Sequence, residues 1–232
     1  MPSNPPPRSD WPESAVRTPI ATTALARPGL RADAASLRRH FAVAADGPVE
    51  PLENPHVEPR VTALERRRAA PSSVLIAVVD RSSGPTVLVT TRHEAISFPG
   101  HIVFPGGRSD PADATPIETA LREAEEEIGL ARERVEVLGR LGDYVTHSGF
   151  RIAPVVALVE PPIELRAQAS EVAAIHELPL ARLLDSSSYA LLRRSDRADR
   201  AYFAFEHGGL QLTGATVSLC IGLYAELCKT HG

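Results

Sequence analysis

Cysteine is scarce in this chain of 232 residues, which has only Cys220 and Cys228. Both lie in one apolar C-terminal segment, without metal-type spacing. That excludes a disulfide framework and a zinc module, and points to buried reduced thiols in a cytoplasmic protein. No run is apolar and long enough for a membrane helix, and no hydrophobic stretch marks a signal peptide. Arg8, Arg17 and Arg27 are scattered through the N-terminal tail, but Asp10, Glu13 and the prolines beside them oppose an amphipathic targeting helix. Charge of one sign is also lacking. At a net −4 there is no basic excess to predict a nucleic-acid partner. No internal repeat is visible.

What is present is an apolar content of 43%, ordinary for a globular chain long enough to bury a real core. Residues 1–30 are rich in Pro, Ser, Thr and Ala and are expected to form a poorly ordered tail. Residues 31–68 read as an extension. It holds a helix over 34–45 with Leu37, Phe41 and Val43 as apolar contacts, a proline-interrupted linker over 48–59, and the basic run Glu65-Arg66-Arg67-Arg68. That run is either a solvated surface or a contact for an anionic substrate.

The main domain is expected over 69–232. Its strands read as residues 73–80, 86–92, 135–141, 151–159 and 201–206, with a charged hairpin at 193–200 and a closing amphipathic helix over 213–227.

One acidic helix stands out, preceded by a glycine loop, in FPGGRSDPADATPIETALREAEEEIGL over 104–130. Thr115 is placed as N-cap, Pro116 as first helical residue and Glu118 as the partner that completes a capping box. Gly129 is the expected left-handed stop. Ile117, Ala120, Leu121, Ala124 and Ile128 form an apolar stripe. Glu123, Glu126 and Glu127 share another face, from which Glu125 points away. Like charges at this spacing weaken a helix. Either Arg122 offsets them by pairing with Glu118 and Glu126 along a solvated face, or the acidic face holds a hard divalent cation through its oxygens.

Gly106-Gly107 followed by Arg122-Glu123-Ala124-Glu125-Glu126-Glu127-Ile128-Gly129-Leu130 resembles the Nudix hydrolase signature. The general pattern has a glutamate at the position of Ala114. Counting forward from Gly107 reaches Asp113 instead, so the loop is one residue longer. That longer form resembles the coenzyme A pyrophosphatase branch, as do Leu88 to Arg92 (LVTTR), Ser148-Gly149-Phe150 and Pro154-Val155-Val156. The chain departs from that branch in having no arginine between Arg92 and Arg108, with Ile96 and His101 at positions where the branch carries arginine and glutamine.

The resemblance implies an α/β fold, a Nudix-type α/β/α sandwich with a mixed sheet, and hydrolysis of a diphosphate bond in a nucleoside diphosphate derivative. It implies Mg²⁺ or Mn²⁺ held by Glu123, Glu126, Glu127 and the carbonyl of Gly107. Arg122 would orient the glutamates as part of the catalytic set. One of the glutamates, or Glu171, would take the proton of the attacking water. Arg92, Ser148, Gly149 and Phe150 are the candidate substrate contacts. Phe150 would stack on a base or fill the core, and His147 reads as a loop histidine. The implied substrate is coenzyme A or acyl-coenzyme A. ADP-ribose, another nucleotide sugar or a dinucleotide, and a nucleotide-sensing module without turnover, are the alternatives. A homodimer is possible by the same resemblance.

Overall fold

Two strands that end in unbroken aliphatic runs must be covered on both faces there, and they form the centre of the main sheet. The computed structural model describes residues 16–19, 32–44, 67–146, 148–193 and 201–229. Twelve strands and four helices are numbered here in chain order. Strand β2 (Ala70–Val79) runs parallel to β8 (Phe150–Val159), in register from Ala70 opposite Phe150 to Val79 opposite Val159. Their alternation divides the core. Leu75, Ala77 and Val79 with Val155, Ala157 and Val159 face one side, while Ile76, Val78, Val156 and Leu158 face the other.

Antiparallel neighbours complete a mixed sheet. These are β3 (Thr86–Arg92), β4 (Ile102–Val103), β5 (Gly106–Arg108), β6 (Val135–Arg140), β7 (Tyr144–Val145) and β9 (Val172–Pro179). The central order is β4-β3-β2-β8-β6, with β5 on β2, β7 on β8 and β9 on β3. Helix α2 (Pro116–Ile128) covers the first face through Ala120, Ala124 and Ile128. The second face is covered by α1 (Ala34–Ala44), the one-turn α3 (Leu180–Leu183) and α4 (Gly214–Lys229), together with a smaller sheet. That sheet has the order β1-β10-β11-β12, formed by Val16–Pro19, Tyr189–Arg193, Ala201–His207 and Leu210–Leu212. The α/β sandwich with a mixed sheet is therefore present, and the predicted strands appear within a few residues of their expected ends.

Two expectations change. Within the tail expected to lack order, Val16–Pro19 is a strand pairing with β10; the rest of residues 1–30 lies outside the described residues, as do the 48–59 linker, His147 and most of the charged hairpin. The helix of the extension makes its apolar contacts through Leu37 and Phe41 as expected. Leu37 and Phe41 are buried in the same cluster as Ile76 and Val156, and a Cβ at Gly139 would crowd the Phe41 ring at 2.9 Å. Leu37→Ala should then cost about 2–5 kcal/mol in urea unfolding, as a core truncation does; a change under about 0.5 kcal/mol would place α1 outside the cooperative unit. Finally, α4 is enclosed rather than amphipathic. Leu219 through Tyr224 are all buried, which is how a helix apolar on every side is accommodated. Arg67 and Arg68 of the basic run are exposed. Among the described residues no helix is long and apolar enough to cross a membrane.

Candidate active site

Local chemistry builds α2 as expected. The Thr115 hydroxyl accepts from the Glu118 N–H at 3.2 Å, and the Glu118 carboxylate accepts from the Thr115 N–H at 3.2 Å. Gly129 ends the helix at φ 67°, its N–H donating to the Glu125 carbonyl at 2.9 Å. Glu125 points outward, to Arg132 at 2.9 Å.

The glycine loop becomes β5, laid against β2 with Gly107 opposite Ser73. The two glycines of this turn are close-packed, Gly106 against backbone and Gly107 against a carboxylate. Gly106 has φ 155°, and a Cβ there would strike the Ser73 carbonyl and Val74. At Gly107 a Cβ would overlap the Glu123 carboxylate, so the absent side chain is what lets that carboxylate lie against the turn.

Glu123, Glu126 and Glu127 line one cavity of about 380 Å³ together with Gly106, Gly107, Arg92, Arg108, Gln168 and Glu171. The turn, the helix and the loop before β9 meet there. Gln168 and Glu171 arrive because that loop satisfies the open carbonyls at the end of α2: the Gln168 N–H donates to the Glu127 carbonyl and the Arg166 N–H to that of Ile128, each at 2.8 Å.

Arg122 ties the acidic face together. Its guanidinium donates to both oxygens of Asp113, from Nε at 3.0 Å and Nη2 at 2.9 Å. It also reaches Glu123 at 2.9 Å, Glu126 at 3.1 Å and the Arg108 carbonyl at 3.1 Å. Of the two helical partners expected for Arg122, Glu126 is found; Glu118 is committed to the cap. Asp113 also accepts from the Thr119 hydroxyl at 2.9 Å. The Arg122 hydrogen bonds hold the Asp113 carboxyl well below the usual range, so it is a fixed anion that anchors the arginine.

Glu127 is only 5% exposed, and burial pushes its carboxyl up to about 7. The Gly106 N–H, donating to it at 3.1 Å, and Arg92 pull it back, while the charges of Glu123 and Glu171 raise it further. Burial raises Glu123 as well, against the pull of Arg122 and with Glu126 and Glu171 adding to the rise. Crowded, half-buried carboxylates of this kind are poised to exchange protons for a cation.

Among the described residues, no group of three acidic, histidine or cysteine side chains stands together as a ready metal cage. Glu123 and Glu126 turn to Arg122, and Glu127 turns to the Gly106 N–H. The donor set still fits a hard divalent ion. Its side chains offer oxygen, two are raised by desolvation and like charge, and all line the cavity beside Gly107.

Arg92 and Arg108 also line a second, larger cavity of about 820 Å³, which shares Gly106 and Gly107 with the first and includes Ser148 and Phe150. The Arg108 guanidinium stands 5.0 Å from the centre of the Phe150 ring. Gly149 lines neither cavity; at φ 85° it closes the turn into β8, and its carbonyl accepts from the Ala70 N–H at 2.8 Å. Sequence reasoning left out of the site Arg108, Gln168 and the anchoring part of Asp113. For Asp113 the one-residue offset in the loop was the available signal; for Gln168, in an irregular loop, there was none.

A glycine turn pressed against an acidic helix, with arginines beside it, suits a polyanion and its cation, and by its family and its relatives this chain is a pyrophosphohydrolase. Residues 70–199 match the NUDIX domain model, and the chain belongs to that family. It is 40% identical over 135 residues to a protein named uncharacterized Nudix hydrolase NudL from Photorhabdus laumondii, a match covering 57% of this chain and 72% of the relative. A NudL of the same description from Yersinia enterocolitica is 43% identical over 119 residues, covering 51% of this chain and 60% of the relative. Among solved structures, the Nudix hydrolase RenU from M. smegmatis is 19% identical, with 71% of this chain and 88% of that chain covered at a TM-score of 0.48.

Proposed function

We propose that this enzyme hydrolyses the diphosphate bond of coenzyme A or an acyl-coenzyme A, releasing 3′,5′-ADP and the corresponding phosphopantetheine. The cation would be Mg²⁺ or Mn²⁺, held by Glu123, Glu126, Glu127 and the Gly107 carbonyl. The single observation that carries this reading is the junction of the two cavities. The acidic chamber and a cleft of about 820 Å³ share Arg92, Gly106, Gly107 and Arg108 in their walls, which suits a molecule with an anionic centre and a large organic part.

A diphosphate resists water because its own oxygens repel a nucleophile; a divalent cation, when bound, neutralises that charge and favours ionised water. The chain's own groups do the rest. Arg92 and Arg108 attract the phosphates to the Gly106-Gly107 turn. Arg122, fixed by Asp113, sets the directions of Glu123 and Glu126 by charge-assisted hydrogen bonds. A carboxylate of the chamber, Glu171 or one of the helical glutamates, accepts the proton of the attacking water. Ser148 and Phe150 line the cleft as substrate contacts.

The test is a comparison of kcat/KM on coenzyme A, ADP-ribose, NADH and dinucleoside polyphosphates with Mg²⁺ or Mn²⁺. The expected result is a preference for coenzyme A or its acyl esters of at least about tenfold, the size of one or two specific contacts. Preference for ADP-ribose would reassign the substrate. Tight binding with no turnover would identify a sensor in place of a catalyst.

A further inference from the structure

Phe98 combines two costly features. It is the one exposed large hydrophobic side chain among the described residues, at 55%, and the one described non-glycine residue at positive φ, 58°. A bulky residue in that region is a backbone outlier, and such strain persists where the surroundings impose it, often at ligand clamps.

The surroundings here are explicit. The Arg92 Nε donates to the Ser97 carbonyl at 2.8 Å, the Gly100 N–H donates to the Arg92 carbonyl at 3.0 Å, and the Arg92 N–H donates to the His101 carbonyl at 3.0 Å. The loop is thus closed on Arg92 from both ends, and the Phe98 ring stands 5.7 Å from that of His101.

Phe98 lines the larger cavity, which shares Arg92, Gly106, Gly107 and Arg108 with the acidic chamber. Of the other aromatic rings of that cavity, Phe104 and Tyr144 are buried, and Phe150, a substrate contact on the proposed reading, carries Arg108 at 5.0 Å and is less exposed than Phe98. An exposed ring in the same cavity as two arginines suits a molecule with an anionic centre and a flat organic end.

We infer that Phe98 is the platform on which the planar base of the nucleotide substrate stacks, and therefore a specificity-determining contact. The inference rests on the diphosphate hydrolase reading above. It places the phosphates at the glycine turn and the base across Arg92 on the 93–101 loop. Stacking on a ring is tolerant of base identity but needs a π face, so it selects nucleotides over other diphosphates.

The experiment has a kinetic and a spectroscopic arm. Phe98→Ala should raise KM for the best nucleotide substrate about tenfold or more, with kcat changed less than about threefold, and Phe98→Tyr should restore KM. In the Trp11→Phe, Phe98→Trp double variant, whose only tryptophan is the new one, ADP should quench the fluorescence while inorganic pyrophosphate leaves it unchanged.

An unchanged KM for Phe98→Ala in an active enzyme overturns the inference and leaves the hydrolase reading intact. A tryptophan that responds equally to ADP and pyrophosphate, or to neither, overturns it too. Quenching by ADP in an enzyme that cleaves none of the diphosphates supports the platform while removing the hydrolase reading.

Discussion

Glu127→Gln and Glu126→Gln should each lower kcat/KM on the preferred nucleoside diphosphate derivative by about a hundredfold or more with Mg²⁺. The substitution keeps size and hydrogen-bonding ability but removes the charge that a divalent cation needs. The loss is on the scale of a missing catalytic carboxylate. Glu126 is the more informative position for catalysis. Its side chain is 59% exposed, so its replacement should leave the fold undisturbed, and lost turnover cannot be assigned to unfolding. Arg122→Ala should follow with a loss of about 10–100-fold, the usual effect of removing a group that orients ligands. Near wild-type rates for both glutamine variants would end the assignment of the acidic face to catalysis.

The second large effect is on stability without metal. In chelator, the wild-type fold should become less stable as pH rises from about 5 to 8, and Glu127→Gln should lack most of that slope. The sign follows from proton counts. Burial raises the folded-state value of Glu127 to about 7, so between the ordinary glutamate value and about 7 the folded chain binds more protons than the unfolded one. Stability is present at the acid end of that window and is lost as pH rises through it. A shift of this size corresponds to roughly 3 kcal/mol. At pH 8 the glutamine variant should therefore be more stable than wild type in chelator by about that amount.

Glu123, also raised by burial, adds a slope of the same sign that both proteins keep, so the difference between them reads Glu127 together with its coupling to Glu123. The carboxyls held low by their partners, Asp113 by Arg122 and Glu177 by Arg81, lose their contribution as pH falls, in a more acidic window. Burial lowers His176, which acts in the opposite direction to Glu127, but equally in both proteins. Added Mg²⁺ at pH 8 should raise the stability of wild type by mass action and do much less for the variant. Urea unfolding at pH 5, 6.5 and 8 measures all of this. Parallel pH profiles for the two proteins would show that Glu127 does not carry the buried charge.

The two results test one site by independent readouts, rate and stability. Their expected opposition, lower activity with a more stable chelated fold, is the trade-off of a site built from repelling groups.

Much of this site is written in short-range chemistry. A cap hydroxyl, a proline at the first turn and a left-handed glycine define α2 within a dozen residues, and helical spacing alone puts Glu123, Glu126 and Glu127 on one side. Strands β2 and β8 are legible for the same reason: each must be covered on both faces, so each carries an unbroken aliphatic run, over 74–79 and 155–159. Even the glycine pair is readable as a place of close approach.

What approaches it was not readable. That the Glu123 carboxylate occupies the space of a missing Cβ at Gly107, that Asp113 anchors Arg122, and that Gln168 and Glu171 join the chamber through the carbonyls of α2 are contacts between distant segments. So are the partners that Leu37 and Phe41 meet across the core, the enclosure of α4, and the pairing of Val16–Pro19 with β10. Periodicity and capping act within a turn or two and leave their mark in the order of residues. Burial and the chemistry that burial creates, including the raised Glu127, depend on which surfaces meet across the core, and that is settled when the layers pack.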